Sequence, residues 1–527
     1  MKTLLIKKLN LACIIFVIFF IVLITFLPST HLDADIYYHY KFASLLKNDF
    51  SLLTGFERLA YSITNRYSAD LSYGYHLLFA PFTFIPDPVL AIKTFSLFLL
   101  LILLASFLYA FKKFALANPG LWLMVLIFGS TLFLERLTLS RPFLISLALT
   151  LLFLPQLFNK KYFSIFIISS LWSFFYVGWP LVVFLAAVYL FCQLIISRSF
   201  DFRLMVIPWV GASLGLLART DFPNNLIMAY HQVYNSLQLK FSGLNLMLGT
   251  ENQPLALFNF IDSSLIIFTL IIALLLIIPF IIKLALNNRA KQTLLFFYIL
   301  TFTFLLATFL VTRFIEYLTI FVVLLSAIVL TLFKKSNLAP ELNQLLVRLK
   351  SVFNRPMMLT FLWLAGLSLI FLPLITFYRQ FKIAAPYQTY QTTAEWLKNN
   401  TPEDSIIFHT SWDTFPRLFF YNSHNRYLIG LDPTFMYLYN PQLYWQWRNI
   451  TENVCVADYK LTGDCPADFK SPQLIAQTIK NQFNSEYIWA AECDFFAKFK
   501  KFLETNPEFF KKMIETEDST VFQIINH

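Results

Sequence analysis

The stretch HLDADIYYHY, residues 31–40, sets two carboxylates, Asp33 and Asp35, directly after the first long apolar run of the chain. An acid beside hydrocarbon is costly unless it is hydrated, paired or used. Near an imidazole, His39, such an acid can act as a general base or help to hold a divalent metal. The structural alternative is that one of the two caps the helix that follows, and Asp-x-Asp alone does not decide.

Four more polar islands interrupt apolar sequence. FLERLTLSRPFLIS (133–146) carries Glu135, Arg136 and Arg141, and VTRFIEY (311–317) carries Arg313 and Glu316. A guanidinium grips phosphate in a planar fork, so these arginines are candidate anion ligands. The alternatives are snorkelling to lipid headgroups for Arg136 and Arg141, and a local pair for Arg313 and Glu316. LGTENQP (248–254) brings Glu251 to the edge of another apolar run. FHTSWDTFPRLFFYNSHNRYLIGLDP (408–433) puts Trp412 and Asp413 where an expected strand ends, either as a ligand-binding pair or as part of a domain core.

The elements that must position these residues are apolar. Hydrophobic residues make up 58% of the 527-residue chain, 61 of them Phe, while charged residues make up 13%. That is beyond what a soluble domain needs and points to an α-helical polytopic membrane protein. The net charge of +11 is spread as short clusters between apolar runs, so it speaks for membrane topology and against nucleic acid. Runs near 9–28, 88–111, 119–134, 143–158, 163–179, 180–197, 204–218, 263–286, 293–312, 316–333 and 356–377 give about eleven expected spans. The first lacks an A-x-A cleavage site and reads as an uncleaved span with its N-terminus inside. Strict alternation then puts Lys112-Lys113, Lys160-Lys161, Arg198 to Arg203, Lys283 to Lys291 and Lys334 to Arg355 in the cytoplasm. The outer side of the plasma membrane receives loops 29–87, 135–142 and 219–262, and everything after about 378. Tyr75 to Ile85 reads as an interfacial helix.

The expected division is therefore a membrane domain, 1–377, and an extracytoplasmic α/β domain, 378–527. In the second, Thr393 to Lys398 reads as helix and Ser405 to His409 as a buried strand. Asp494 to Leu503 reads as a basic amphipathic helix and Thr520 to Ile525 as a closing strand. Cys455 and Cys465 either pair, leaving Cys493 over, or all three stay as thiols.

Taken in order, these features resemble the GT-C class of membrane glycosyltransferases, and within it the single-chain oligosaccharyltransferases. DADIYYHYKFA is similar to the family's first-loop acid followed by aromatics, with Asp35 the better match and Asp33 second. Arg136 in ERLTLSRP resembles the Arg at the outer end of the third span. Arg313 in TRFIEY resembles the donor-phosphate Arg near a late span. Thr410-Ser411-Trp412-Asp413-Thr414 resembles the acceptor motif Trp-Trp-Asp-Tyr-Gly, retaining only the second Trp and the Asp.

The resemblance implies transfer of a sugar or oligosaccharide from a polyprenyl-(pyro)phosphate donor to a protein or glycan acceptor at the outer face. Asp35, helped by Asp33, would be the base. Arg136, Arg141 and Arg313 would hold the donor phosphate, and Trp412, Asp413 and Glu251 the acceptor. The family's second-loop acid pair, which helps to hold Mg or Mn, is replaced by Phe143, Leu144 and Ile145. A metal would then rest on Asp35 with Glu135, whereas other GT-C enzymes work without one. The competing expectations are a cell-envelope polysaccharide polymerase or ligase, and a flippase of lipid-linked sugar. Against a flippase stand the acids, which lie at the rim rather than near mid-bilayer, and the absence of internal repeats.

Overall fold

The structure, a computed structural model, describes residues 2–335 apart from 32, 55, 245 and 283–285, together with 371, 374–382 and 384–525. The chain divides into two compact units. The first comprises Met1–Leu32, Lys93–Gly215 and Thr250–Ala384; the second comprises Asp33–Ile92, Leu216–Gly249 and Ala385–His527. Two expected outer loops thus fold with the C-terminal region.

The first unit is helical. Among the described residues five helices are long and apolar enough to cross a membrane: Leu4–Phe26, Pro88–Lys113, Pro180–Ser197, Asn288–Leu310 and Thr312–Lys334. Two further segments are each broken into a bent pair. Pro119–Phe128 meets Thr131–Thr138 at 87°, and Leu257–Ser263 meets Leu265–Ile281 at 107°. Counting each pair once gives seven, against the eleven expected. Phe143–Phe158, Tyr162–Phe175 and Arg203–Leu217 are shorter apolar helices, and the expected span 356–377 lies mainly outside the described residues.

The interrupted segments correct the sequence expectation. Neither break has a proline, the usual sequence sign of a kink. The first falls at Gly129-Ser130, where the Ser130 hydroxyl accepts the Phe133 N–H and starts a new helix. Ser264 marks the second, and the two hydroxyls hydrogen-bond each other at 2.6 Å. The Thr131 hydroxyl also donates to the Ser263 carbonyl at 3.1 Å. The expected outer loop 135–142 accordingly starts inside a helix.

Helix α1, Lys2–Phe26, leans on Pro119–Phe128 at Gly120, whose N–H donates to the Asn10 side chain at 3.0 Å. A Cβ at Gly120 would lie 2.2 Å from the Asn10 carbonyl oxygen, so only glycine permits this approach. Burial separates the helices: 83% of the apolar window in Thr312–Lys334 is buried, but only 22% of that in Leu4–Phe26. The outward Leu, Ile and Phe of α1 form a surface that suits hydrocarbon rather than water.

The second unit is built on a five-stranded sheet, order β2-β1-β3-β5-β4. The strands are β1 Ile406–His409, β2 Arg426–Tyr427, β3 Tyr487–Ala491, β4 Phe510–Glu515 and β5 Ser519–Ile524. β1 runs parallel to β2 and β3, while β5 is antiparallel to β3 and β4. Phe408, Ile488, Phe522, Trp447, Ile479 and Phe499 fill its core. The expected helix at 393–398 spans Gln391–Asn400, and the basic helix becomes a short 3-10 turn followed by Ala497–Thr505.

Residues 58–61 close the β2 edge. Leu59 bridges Tyr427 in parallel, the Tyr427 N–H donates to the Arg58 carbonyl at 2.8 Å, and the Ala60 N–H donates to the Tyr427 carbonyl at 2.7 Å. Helix α2, Asp35–Leu45, packs its aromatic face on the helix Phe415–Tyr421. Tyr37 meets Phe420 edge-on at 5.4 Å, Tyr38 lies 5.9 Å from Phe415, and the Arg417 guanidinium covers Tyr37 at 4.7 Å. The tyrosines after Asp35 are therefore the adhesive between a first-loop helix and the sheet domain. Tyr75 to Ile85, expected to lie in the interface, forms the helix Tyr73–Phe79 and a 3-10 turn Ala80–Phe84 within this unit. The 219–262 loop, expected to lack clear structure, carries the helices Asn224–Tyr230, Ser236–Phe241 and Leu257–Ser263.

Cys455 and Cys465 are disulfide-bonded across a separation of ten residues, and Cys493 is exposed and free. Closing so short a loop is worth about 2.5 kcal/mol through the unfolded chain. Cys455→Ser with Cys465→Ser should therefore lower the thermal midpoint of the sheet unit, measured by near-UV circular dichroism. An unchanged midpoint would show that the bond constrains little.

Candidate functional site

In the first unit the bend at Ser130 aims Thr131–Thr138 so that Arg136 enters the packed interior, where it is 5% exposed. Its Nε donates to Glu316 Oε1 at 2.6 Å, and another of its nitrogens pairs with Glu251. Glu316 lies in the first turn of the helix Ile315–Lys335 and is itself buried. Arg141, just after the bent helix, donates from one nitrogen to both Glu251 oxygens, at 2.9 and 2.7 Å. Arg313, in the turn Thr312–Phe314, reaches Glu251 Oε1 at 3.4 Å and the Asn252 side chain at 3.4 Å. The Thr312 N–H and hydroxyl both donate to the Gln253 carbonyl, at 3.0 and 2.8 Å, which ties the Glu251 turn to the Arg313 turn.

The structure thus gathers Arg136, Arg141 and Arg313 from distant parts of the chain around one carboxylate. Burial pushes the Glu251 carboxyl up, but the charges of Arg141, Arg313 and Arg136 outweigh it and hold the group well below the usual carboxylate range. Three guanidinium groups thus meet the carboxylates of Glu251 and Glu316, and a guanidinium presents its N–H donors in a planar fork. Such a cradle can take an anion with several oxygens, a phosphate above all. Glu251, expected to bind an acceptor, instead sits among the arginines. In place of the alternative of a local Arg313–Glu316 pair, Glu316 pairs with Arg136 and Arg313 with Glu251. Glu135 is half-buried and outside these ion pairs.

The remaining expected residues lie in the second unit. Asp33 is buried, and its Oδ1 accepts the Asp35 N–H at 3.2 Å at the helix start. Asp35 stands half-buried in the first turn of α2, where the helix dipole favours a carboxylate. Trp412 and Asp413 form a short turn beyond the carboxyl end of β1, the side where open parallel sheets take ligands. Trp412 packs against the core and Asp413 is exposed. Beneath them His409 is fully buried, with Nδ1 against the Ser411 carbonyl at 2.8 Å. Burial lowers its pKa to about 4, against the raising effect of hydrogen bonds to the Ser411 and Ile429 backbones. A neutral ring is thus a strut under the Trp412 turn.

Among the described residues no three His, Cys, Asp or Glu side chains converge as a metal site requires. The expected metal ligands Asp35 and Glu135 fall in different units. Sequence reasoning did not single out Asp70 or His76, which are buried in contact with each other. Each is a lone polar residue within aromatic sequence, and nothing in the spacing pairs them. No family model and no curated protein matches this chain.

The Glu251 shift has a signed consequence. A lowered folded pKa contributes stability above the ordinary carboxylate value, near about 4.3, and that stability is lost as pH falls below it. Thermal unfolding in detergent should show a midpoint falling from about pH 5 downward, with a shallower fall in Glu251→Gln. Added pyrophosphate should raise the midpoint of Glu251→Gln more than that of wild type. Equal responses would mean that the arginines are not available to an anion.

Proposed function

We propose that this chain is an integral-membrane glycosyltransferase of GT-C type. It would move a sugar or oligosaccharide from a polyprenyl-(pyro)phosphate donor to an acceptor on the outer face of the plasma membrane. The observation that carries this reading is the convergence of Arg136, Arg141 and Arg313 on one carboxylate, in a unit of apolar helices. Lipid-linked donors deliver their phosphate beside hydrocarbon, where arginines can meet it.

In this reading the donor phosphate displaces the Glu251 carboxylate and takes over its guanidinium partners. As the glycosidic bond breaks, the phosphate keeps the electron pair, and the arginines stabilise the growing charge. Asp35, at the start of α2, takes the proton of the acceptor hydroxyl or amide. Trp412 and Asp413, beyond the end of β1, offer an aromatic face and an acid for positioning that acceptor. The disulfide supports an extracytoplasmic place for the sheet unit, because such bonds persist in oxidising compartments.

A second reading, a flippase of lipid-linked sugar, is favoured by the two broken helices, since transporters use such breaks. Against it, the ion pairs involve residues at the beginning of Thr312–Lys334 rather than at its middle.

Mass spectrometry of cell-surface glycans and glycopeptides, with and without the chain, should reveal a product that depends on it. Arg141→Ala and Arg313→Ala should each remove about 2–4 kcal/mol of transition-state stabilisation, a fall of roughly thirtyfold or more. Lipid-linked donor should accumulate on the outer leaflet. Accumulation on the inner leaflet would favour the flippase. Asp35→Asn should abolish transfer at an unchanged protein level, and survival of transfer would remove the base from this scheme.

A further inference from the structure

The second unit holds a buried chain of acid–base groups that the scheme above does not use. Asp70 Oδ2 lies 2.6 Å from His76 Nδ1, and His76 Nε2 lies 2.7 Å from His39 Nδ1. Exposures of 4% for Asp70, 0% for His76 and 7% for His39 show that water does not mediate this line. Every link is oriented. The Ser72 N–H donates to Asp70 Oδ1 at 2.8 Å. Asp221 Oδ2 accepts the Asp70 backbone N–H at 3.1 Å, and Arg219 grips Asp221 at 2.9 and 2.5 Å. Phe42 stacks on the His76 ring at 4.2 Å, and Tyr75 stands edge-on to His39 at 4.9 Å.

This geometry fixes tautomers. An ionised Asp70 requires a proton on His76 Nδ1, so a neutral His76 presents a bare Nε2. That nitrogen accepts from His39 Nδ1–H, which leaves the lone pair of a neutral His39 on Nε2. The line therefore makes His39 a polarised base whose cationic form Asp70 stabilises through His76. His39 is also four residues after Asp35 on α2, and residues at that spacing share a helix face.

We propose that Asp70, His76 and His39 form a proton-holding relay that ends on the α2 face carrying Asp35. They are positioning residues for that carboxylate, an inference that rests on Asp35 as base. The acceptor O–H or N–H proton passes to Asp35 and from there to His39 Nε2. The imidazolium is shared with His76 beside Asp70. The new glycosidic bond forms with the acceptor's electron pair, and the departing phosphate keeps the pair of the bond that breaks. The other charged groups around the line are Arg219 and Asp221 behind Asp70, Lys41 further along α2, and Arg417 on the facing helix. The phenols of Tyr38 and Tyr75 pack beside the imidazoles. A structural alternative exists, in which the line only glues α2 to the helix Tyr73–Phe79.

Two measurements separate these roles. Solid-state 15N NMR of the histidine-labelled full chain should show His76 as the Nδ1–H tautomer at neutral pH, with a hydrogen-bond coupling to His39. A His76 bearing protons on both nitrogens at neutral pH overturns the relay. In membrane vesicles holding the native donor pool, His39→Gln should slow transfer roughly tenfold or more. It should also change the pH profile of transfer, which a purely structural residue would leave as it is. Asp70→Asn, which keeps the shape of the site, should slow transfer by a similar factor with an unchanged thermal midpoint. Slowed transfer with the wild-type pH profile in His39→Gln means a structural role and overturns the proposal, as does wild-type transfer in either variant. If Asp35→Asn transfers at the wild-type rate, the base itself is misassigned, a failure distinct from a dead Asp35→Asn beside an unaffected His39→Gln.

Discussion

Three guanidinium groups share the carboxylate of Glu251 in surroundings that offer little water, and the first unit is arranged around that concentration of charge. A buried Arg136 without Glu251 and Glu316 would leave an uncompensated cation, which costs several kcal/mol. The turn at Thr250–Asn252, the turn at Thr312–Phe314 and the helix Thr131–Thr138 are therefore held to one another by charge as well as by packing. Such a cluster is an expensive way to gain stability, because well-packed apolar residues serve as well. Gathering three arginines there concentrates guanidinium groups in one place, which packing alone does not require.

The second unit solves a different problem, how to hold the helix that carries Asp35. Asp35 is carried by a helix whose aromatic face is cemented to the helix Phe415–Tyr421 and whose His39 is pinned to His76. Aromatic contacts add about 0.5–1.5 kcal/mol each beyond burial, so the orientation of α2 is set by many weak terms acting together. Residues 58–61 further tether the same segment to the sheet. A carboxylate on such a base moves little, and small displacements at a reacting centre are costly.

Much of this was legible before the fold was known, for reasons that differ from residue to residue. Long apolar runs announce themselves by length, so the helices at 88–113, 180–197 and 288–310 follow from hydropathy alone. The strands β1 and β5 could be read from dense β-branched and aromatic sequence, whereas β2, with two residues, carries no periodic signal. The three arginines could be suspected because each stands alone against apolar sequence. Glu251 was seen but given the wrong neighbours, since a carboxylate's partners come from tertiary contacts more than a hundred residues away. The helix breaks escaped notice because a serine that caps a new helix looks like any other serine in an apolar run. Asp70 and His76 escaped because a separation of six residues matches no regular period, and His39 joins them only once Tyr73–Phe79 packs on α2.

The hydrogen bond between Ser130 and Ser264 joins the two breaks at their corners. One arm beyond Ser130 carries Arg136, and the chain before Ser264 leads back to Glu251. The serine pair is thus a shared pivot: an anion that draws Arg136 away from Glu251 pulls on one arm and unloads the other. An anion in the arginine cradle would thus strain two apolar helices, Pro119–Phe128 and Leu265–Ile282, which have no charged residue of their own with which to sense it.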